Sequence, residues 1–146
     1  MTARPSHTEL LLPADLAAIG ATRSVLSELL SSRGWDDDRL EDAVLAASEA
    51  IGNAIEHGSI GDDRVSVTIH LSDEVLDLRV ADTGRRGRAT PPRLDTAPPP
   101  DGADRGRGLM IMRSLAAELE LSRSELGGTE ARMVFPSDRA PDEETP

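Results

Sequence analysis

Glu49 and Asn53 stand four apart in the stretch Ala43-Val44-Leu45-Ala46-Ala47-Ser48-Glu49-Ala50-Ile51-Gly52-Asn53-Ala54-Ile55-Glu56-His57-Gly58. In a helix that spacing puts both on one face, with His57 one turn further along it. The apolar stripe Leu40, Val44, Ala47, Ile51 and Ile55 then lies roughly opposite, so the polar face is open to a ligand or to water. Gly58 suits the end of such a helix, as a residue free to take positive φ. A carboxylate and a carboxamide stacked on one helix, with a glycine-rich segment downstream, are what a magnesium-nucleotide site needs.

Two later stretches could complete such a site. Leu76, Leu78 and Val80 alternate with Asp77, Arg79 and Ala81, and the same parity turns Asp82 toward the buried face just before Thr83-Gly84. A carboxylate there needs a partner, although a lone Asp-x-Gly also describes an exposed turn. Between residues 84 and 108, Arg85, Arg86, Arg88, Arg93, Arg105 and Arg107 outnumber Asp95, Asp101 and Asp104. The prolines 91, 92, 98, 99 and 100 forbid regular structure there, so this is a long loop of the lid or binding-loop kind. Its positive charge inside an acidic chain suits an anion such as a triphosphate, and equally suits simple solvation. Gly106-Arg107-Gly108 then opens a helix over Leu109 to Ala117, where glycines let phosphate oxygens approach free N–H groups.

The elements that must hold these residues are a small set. Thr8 to Leu12 reads as a strand stopped by Pro13, and Asp15 can cap a helix running to about Ser32. Asp36, Asp37 and Asp38 place negative charge at the start of the second helix, where its dipole favours it. Val65, Val67, Ile69 and Leu71 alternate with polar residues and form a hairpin with the strand ending at Asp82. Two last strands, Leu119 to Ser124 and Thr129 to Phe135, join through Gly127-Gly128. Residues 1–7 and the acidic segment 136–146 read as tails.

Composition narrows the chemistry. The chain has 146 residues, enough for one domain with a real core, which must be aliphatic because Trp35 and Phe135 are its only aromatic side chains. It has no cysteine, which removes disulfides, thiolate zinc sites and thiol catalysis. All 16 basic residues are Arg, so a Walker A lysine, a kinase strand lysine and Schiff-base chemistry are all excluded. The net charge of −11 argues against direct nucleic-acid binding. No apolar run reaches the length of a membrane span, and no signal-peptide pattern is present, so the expectation is a soluble, cytoplasmic protein with no membrane partner.

Four motifs stand in fixed order: Glu49-x-x-x-Asn53-Ala54-x-x-His57-Gly58, Asp82-x-Gly84, Gly106-x-Gly108-Leu109 and Gly128-Thr129-Glu130. This set resembles the ATP-binding domain shared by gyrase, sensor histidine kinases and MutL, the Bergerat fold. More narrowly it resembles the bacterial anti-sigma-factor serine kinases. The resemblance covers about residues 8–135 and implies an α+β two-layer sandwich, with a mixed, mostly antiparallel sheet and three helices on one face. It implies ATP and Mg²⁺ as cofactors. Asn53 would bind the metal and Glu49 would be the general base for a serine hydroxyl or water. Asp82 would accept a hydrogen bond from the adenine amino group, supported by Thr129, and Gly84 would let the base lie close to the backbone. Gly106, Gly108 and Leu109 would border the phosphates, with Arg105 or Arg107 supplying charge at the γ-phosphate.

The function implied is an ATP-dependent anti-sigma factor and protein-serine kinase. Its partners would be a sigma factor and a serine-containing anti-anti-sigma protein, and a homodimer is compatible with it. The alternative is a module that holds ATP and sequesters a protein partner without phosphoryl transfer. A sensor histidine kinase fragment is disfavoured, since the residues before Thr8 offer no helical hairpin with a phosphoacceptor histidine. Two departures from the family pattern stand out. Arg85-Arg86-Gly87 follows Gly84 without the closely spaced second glycine and aromatic, and Ala116-Ala117-Glu118 replaces an acidic-rich ending to the third helix.

Overall fold

Alternating apolar and polar residues build five strands: β1 (Ser6–Pro13), β2 (Arg64–Leu71), β3 (Val75–Asp82), β4 (Glu118–Arg123) and β5 (Thr129–Pro136). In this computed structural model, which describes residues 4–58, 64–82, 104–123 and 127–137, they form one sheet in the order β1-β2-β3-β5-β4. Every described pairing is antiparallel, so a mixed sheet is not found among the described residues. The register carries inward rows straight across the sheet. Leu10, Val67, Val80, Ala131 and Leu121 form one row, and Thr8, Ile69, Leu78, Met133 and Leu119 the next.

Three helices cover that inward face: α1 (Ala17–Ser32), α2 (Asp37–Asn53) and α3 (Asp104–Leu115). Leu26 and Leu30 of α1, Ala47 and Ile51 of α2 and Met112 of α3 join Val67, Leu78, Met133 and Phe135 in a single core. α2 is the central helix, packed against both α1 and α3 and resting on β3 and β5. Its start is fixed by Asp36, whose side chain accepts a hydrogen bond from the Arg39 N–H at 2.8 Å. Asp15 performs a similar service for α1, accepting from the Ala17 N–H at 2.9 Å. Gly34, at φ +78°, supplies the turn between α1 and α2.

The deepest surface of α2 is Ala43, Ala46, Ala47, Ala50 and Ile51, followed by Ala54. Leu40, Val44 and Ile55, expected in the buried stripe, are only partly buried against the core. The buried arc is therefore turned toward Asn53, because α2 is enclosed by the sheet below and by a helix on each side. Glu49 and Asn53 are half-buried at the flank of this arc, not opposite it. Beyond Asn53 the helix loosens into a π-helical turn, Ala54–Gly58, which packs against β3.

Several boundaries differ from those read in the sequence. Ser6 and His7 belong to β1, paired with Leu71 and His70, where a tail was expected. Pro136 is the last residue of β5 and pairs with Val75. α3 begins at Asp104, so Gly106 and Gly108 lie within its opening turns and do not precede it. An aspartate at the helix start is favoured by the dipole there. The lid segment expected over 84–108 lies outside the described residues up to 103, as do 138–146.

The opposite face of the sheet has no helix among the described residues and is polar. Asp77 is its hub, receiving Arg132 Nε at 2.9 Å and Arg79 Nε at 3.3 Å. The hydrogen bond and charge of Asp77 hold the Arg132 guanidinium still more firmly protonated than usual. No helix among the described residues is long and apolar enough to cross a membrane.

Candidate functional site

The phosphate end of the candidate site is a contact between two helices. Glu49 and Asn53 project from the flank of α2, one turn apart, and the backbone of α3 comes down on them at Gly108. A Cβ placed on Gly108 would sit 3.1 Å from Asn53 Nδ2, 3.2 Å from Glu49 Oε1 and 3.3 Å from Asn53 Oδ1. Real side chains rarely tolerate such approaches, so the missing Cβ is what lets α3 come this close to the carboxylate and carboxamide heads. The chain brings an acceptor-only group, an amide and a bare helical backbone to one point. Helices α2 and α3 are held in this relation by Leu109 and Met112, which pack into the core on the α3 side.

The other end belongs to the sheet. Asp82 is the last residue of β3 and only 7% exposed, as its parity in the sequence predicts. Its Oδ1 accepts a hydrogen bond from the backbone N–H of Thr129 at 3.1 Å, across to the first residue of β5. This interaction supplies the partner that a buried carboxylate requires. Gly128, also buried, and Gly127, at φ +100°, shape the chain just before that N–H. The π-helical turn after α2 packs on β3, so one continuous structure joins the Asp82 end to the Asn53 end.

The residues singled out in the sequence thus form two groups. Glu49, Asn53 and Gly108 meet at one point, and Asp82 meets Thr129 at the other. Arg107 is exposed in the opening turns of α3, and Leu109 is partly buried against the core. Gly84 lies outside the described residues, as do the side chains of Arg105, Gly106 and His57. What the sequence could not convey is that Thr129 acts on Asp82 through its main chain. Any residue but proline carries that donor, so residue type gives no sign of it. The π-helical turn was likewise hidden, with Gly58 its one local hint. A groove of about 490 Å³ between α1 and α2, lined by Arg23, Ser27, Leu40 and Leu45 among others, holds none of these residues.

The chain as a whole has recognisable relatives. A family model described as the histidine kinase-like ATPase domain matches residues 12–135. Among curated proteins, the chain is similar to the serine-protein kinase RsbW of Listeria innocua, 29% identical over 124 residues, covering 80% of this chain and 79% of that one. It is also similar to the serine-protein kinase RsbW of Bacillus subtilis, 30% identical over 123 residues, covering 79% and 77%. Among solved structures, the crystal structure of the RsbU and RsbW domains of Rv1364c from Mycobacterium tuberculosis superposes with a TM-score of 0.65 at 26% identity. That match covers 91% of this chain and 32% of the larger one.

Proposed function

The chain belongs to the histidine kinase-like ATPase domain family, and from that premise we propose that it is an ATP-dependent protein-serine kinase acting as an anti-sigma factor. The observation that carries the proposal is the seating of Gly108 against Glu49 and Asn53. It gathers the groups needed at a γ-phosphate around a position where α3 has no side chain. The serine-protein kinase relatives support the same reading at moderate identity.

In this reading Asp82 accepts a hydrogen bond from the adenine amino group, kept in place by the Thr129 N–H, and Gly84 lets the base lie close to the chain. Asn53 would hold Mg²⁺, for which its carboxamide oxygen is a suitable hard ligand. The half-buried pair at the α2 flank fits such an ion, since Gly108 leaves the room a Cβ would fill. When bound, the ion neutralises charge on the phosphates. Glu49 takes the proton of the incoming serine hydroxyl, whose oxygen attacks the γ-phosphorus while ADP leaves. Gly106, Gly108 and Leu109 line the phosphates at the start of α3, with Arg105 or Arg107 adding positive charge. The acceptor serine belongs to an anti-anti-sigma protein, and the sequestered partner is a sigma factor. A cytoplasmic homodimer is part of the same proposal.

The test is transfer of the γ-phosphate from labelled ATP, with Mg²⁺, to a protein captured by this chain. Glu49→Gln should abolish transfer while ATP still binds. Loss of ATP binding in that variant, or full activity, would remove Glu49 from the role of base. Stoichiometric capture of a sigma factor with no transfer to any partner would select the sequestering module instead.

A further inference from the structure

We propose that His7 and His70 form a surface site for a divalent transition-metal ion of the zinc, nickel or copper kind, separate from the nucleotide site. The two residues face each other directly across the β1–β2 ladder, on the polar side of the sheet, and both are exposed. His7 Nδ1 lies 3.2 Å from His70 Nδ1 and 3.1 Å from His70 Nε2, with ring centroids 4.2 Å apart. His7 Nδ1 is nearly equidistant from both nitrogens of His70 and so lies over that ring, and a turn of the two exposed rings about their own side-chain bonds brings one in-plane lone pair of each to a shared ion. Either nitrogen of His70 can serve, so ligation does not depend on its tautomer.

Glu9 adds the feature that distinguishes a ligand from a stacked ring. Its Oε2 sits 3.0 Å from His7 Nε2, on the far side of the imidazole from His70. A proton held on Nε2 by that carboxylate leaves Nδ1 with its lone pair directed at His70. Metal-binding histidines are commonly oriented by a carboxylate in this way. Asp77, opposite His70 on β3, is already engaged by Arg79 and Arg132 and adds no ligand. No three protein ligands converge among the described residues, so water completes the coordination. An ion here would tie the edge strand β1 to β2.

The full chain, stripped with a chelator, is titrated with ZnCl₂ against a colorimetric zinc indicator, and its melting temperature is recorded with and without zinc. One ion per chain is expected, with a zinc-dependent rise in Tm. His7→Ala and His70→Gln should each lose both effects. His57→Ala, which removes the third histidine of the chain, should keep them. His70→Gln retains a hydrogen-bonding partner for His7, so its failure to bind zinc reports the lost ligand and not a disturbed strand. Glu9→Gln should weaken binding by roughly tenfold or more. No zinc binding by the unaltered chain overturns the proposal, and so does unchanged binding in His7→Ala together with His70→Gln.

Discussion

The two ends of the candidate nucleotide site are built on different principles. At the sheet end, Asp82 is buried and fixed by a hydrogen bond from the Thr129 main chain, within strands whose register is set on both sides. At the helix end, Glu49 and Asn53 are held by the way α2 and α3 pack, and their heads are half-buried. Hydrogen-bonded register permits almost no adjustment, whereas two packed helices can shift a little without breaking a bond. The candidate site therefore has one rigid end, at Asp82, and one more adaptable end, at Glu49 and Asn53.

Substitutions can break this contrast, and the largest effect is expected at Glu49. Glu49→Gln should lower phosphoryl transfer by about 10² to 10⁴-fold, with ATP affinity changed only a few-fold. Rate and affinity measured on the same preparation check both halves of that statement. Next comes the rigid end. Asp82→Ala should cost about 1–3 kcal/mol in chemical denaturation, because the Thr129 N–H loses its buried partner, and should remove ATP binding as well. Asp82→Asn keeps an acceptor oxygen for Thr129, so it should retain most of the stability while still weakening ATP.

The adaptable end should respond in the opposite sense. In Gly108→Ala the nearest neighbours of the new methyl are the ends of two side chains, which can move by a few tenths of an ångström. Replacing a helical glycine gains up to about 1 kcal/mol, so stability should hold or rise while ATP affinity falls. Calorimetry and a melting curve separate the two. Thr129→Val should have the smallest effect, within about 0.5 kcal/mol of the parent in stability, since the bond to Asp82 comes from the backbone. A larger loss of ATP binding in that variant would reveal work done by the hydroxyl.

Much of this arrangement was legible in the sequence, for identifiable reasons. Two-residue alternation fixed the inward rows of β2 and β3 and with them the burial of Asp82, because one slip would expose a whole hydrophobic face. The four-residue spacing put Glu49 and Asn53 on one side of α2. Of the α2 stripe Leu40, Val44, Ala47, Ile51 and Ile55, only Ala47 and Ile51 are fully buried, and the other deep positions belong to alanines outside it. Hydrophobicity ranks side chains by size, whereas a helix wedged between a sheet and two other helices puts its smallest residues closest in. α3 starts five residues before Leu109, because the glycines that seem to precede the helix lie inside it. His7 lies in β1 without a strand signal in its neighbours, because a strand edge beside Pro5 and Ser6 carries almost no apolar pattern.

The alanine surface of α2 has a further consequence. Ala43, Ala46, Ala47, Ala50 and Ala54 have no rotamers to exchange and no side-chain entropy to lose on burial. Leu26, Leu30 and Met112 share their core, so any repacking there falls to the neighbouring helices and not to α2. A force applied by a partner to either neighbouring helix would pass through α2 as through a strut, moving Glu49 and Asn53 as a unit. The smallest side chains in the molecule would then decide how faithfully an event on its surface is felt at the phosphates.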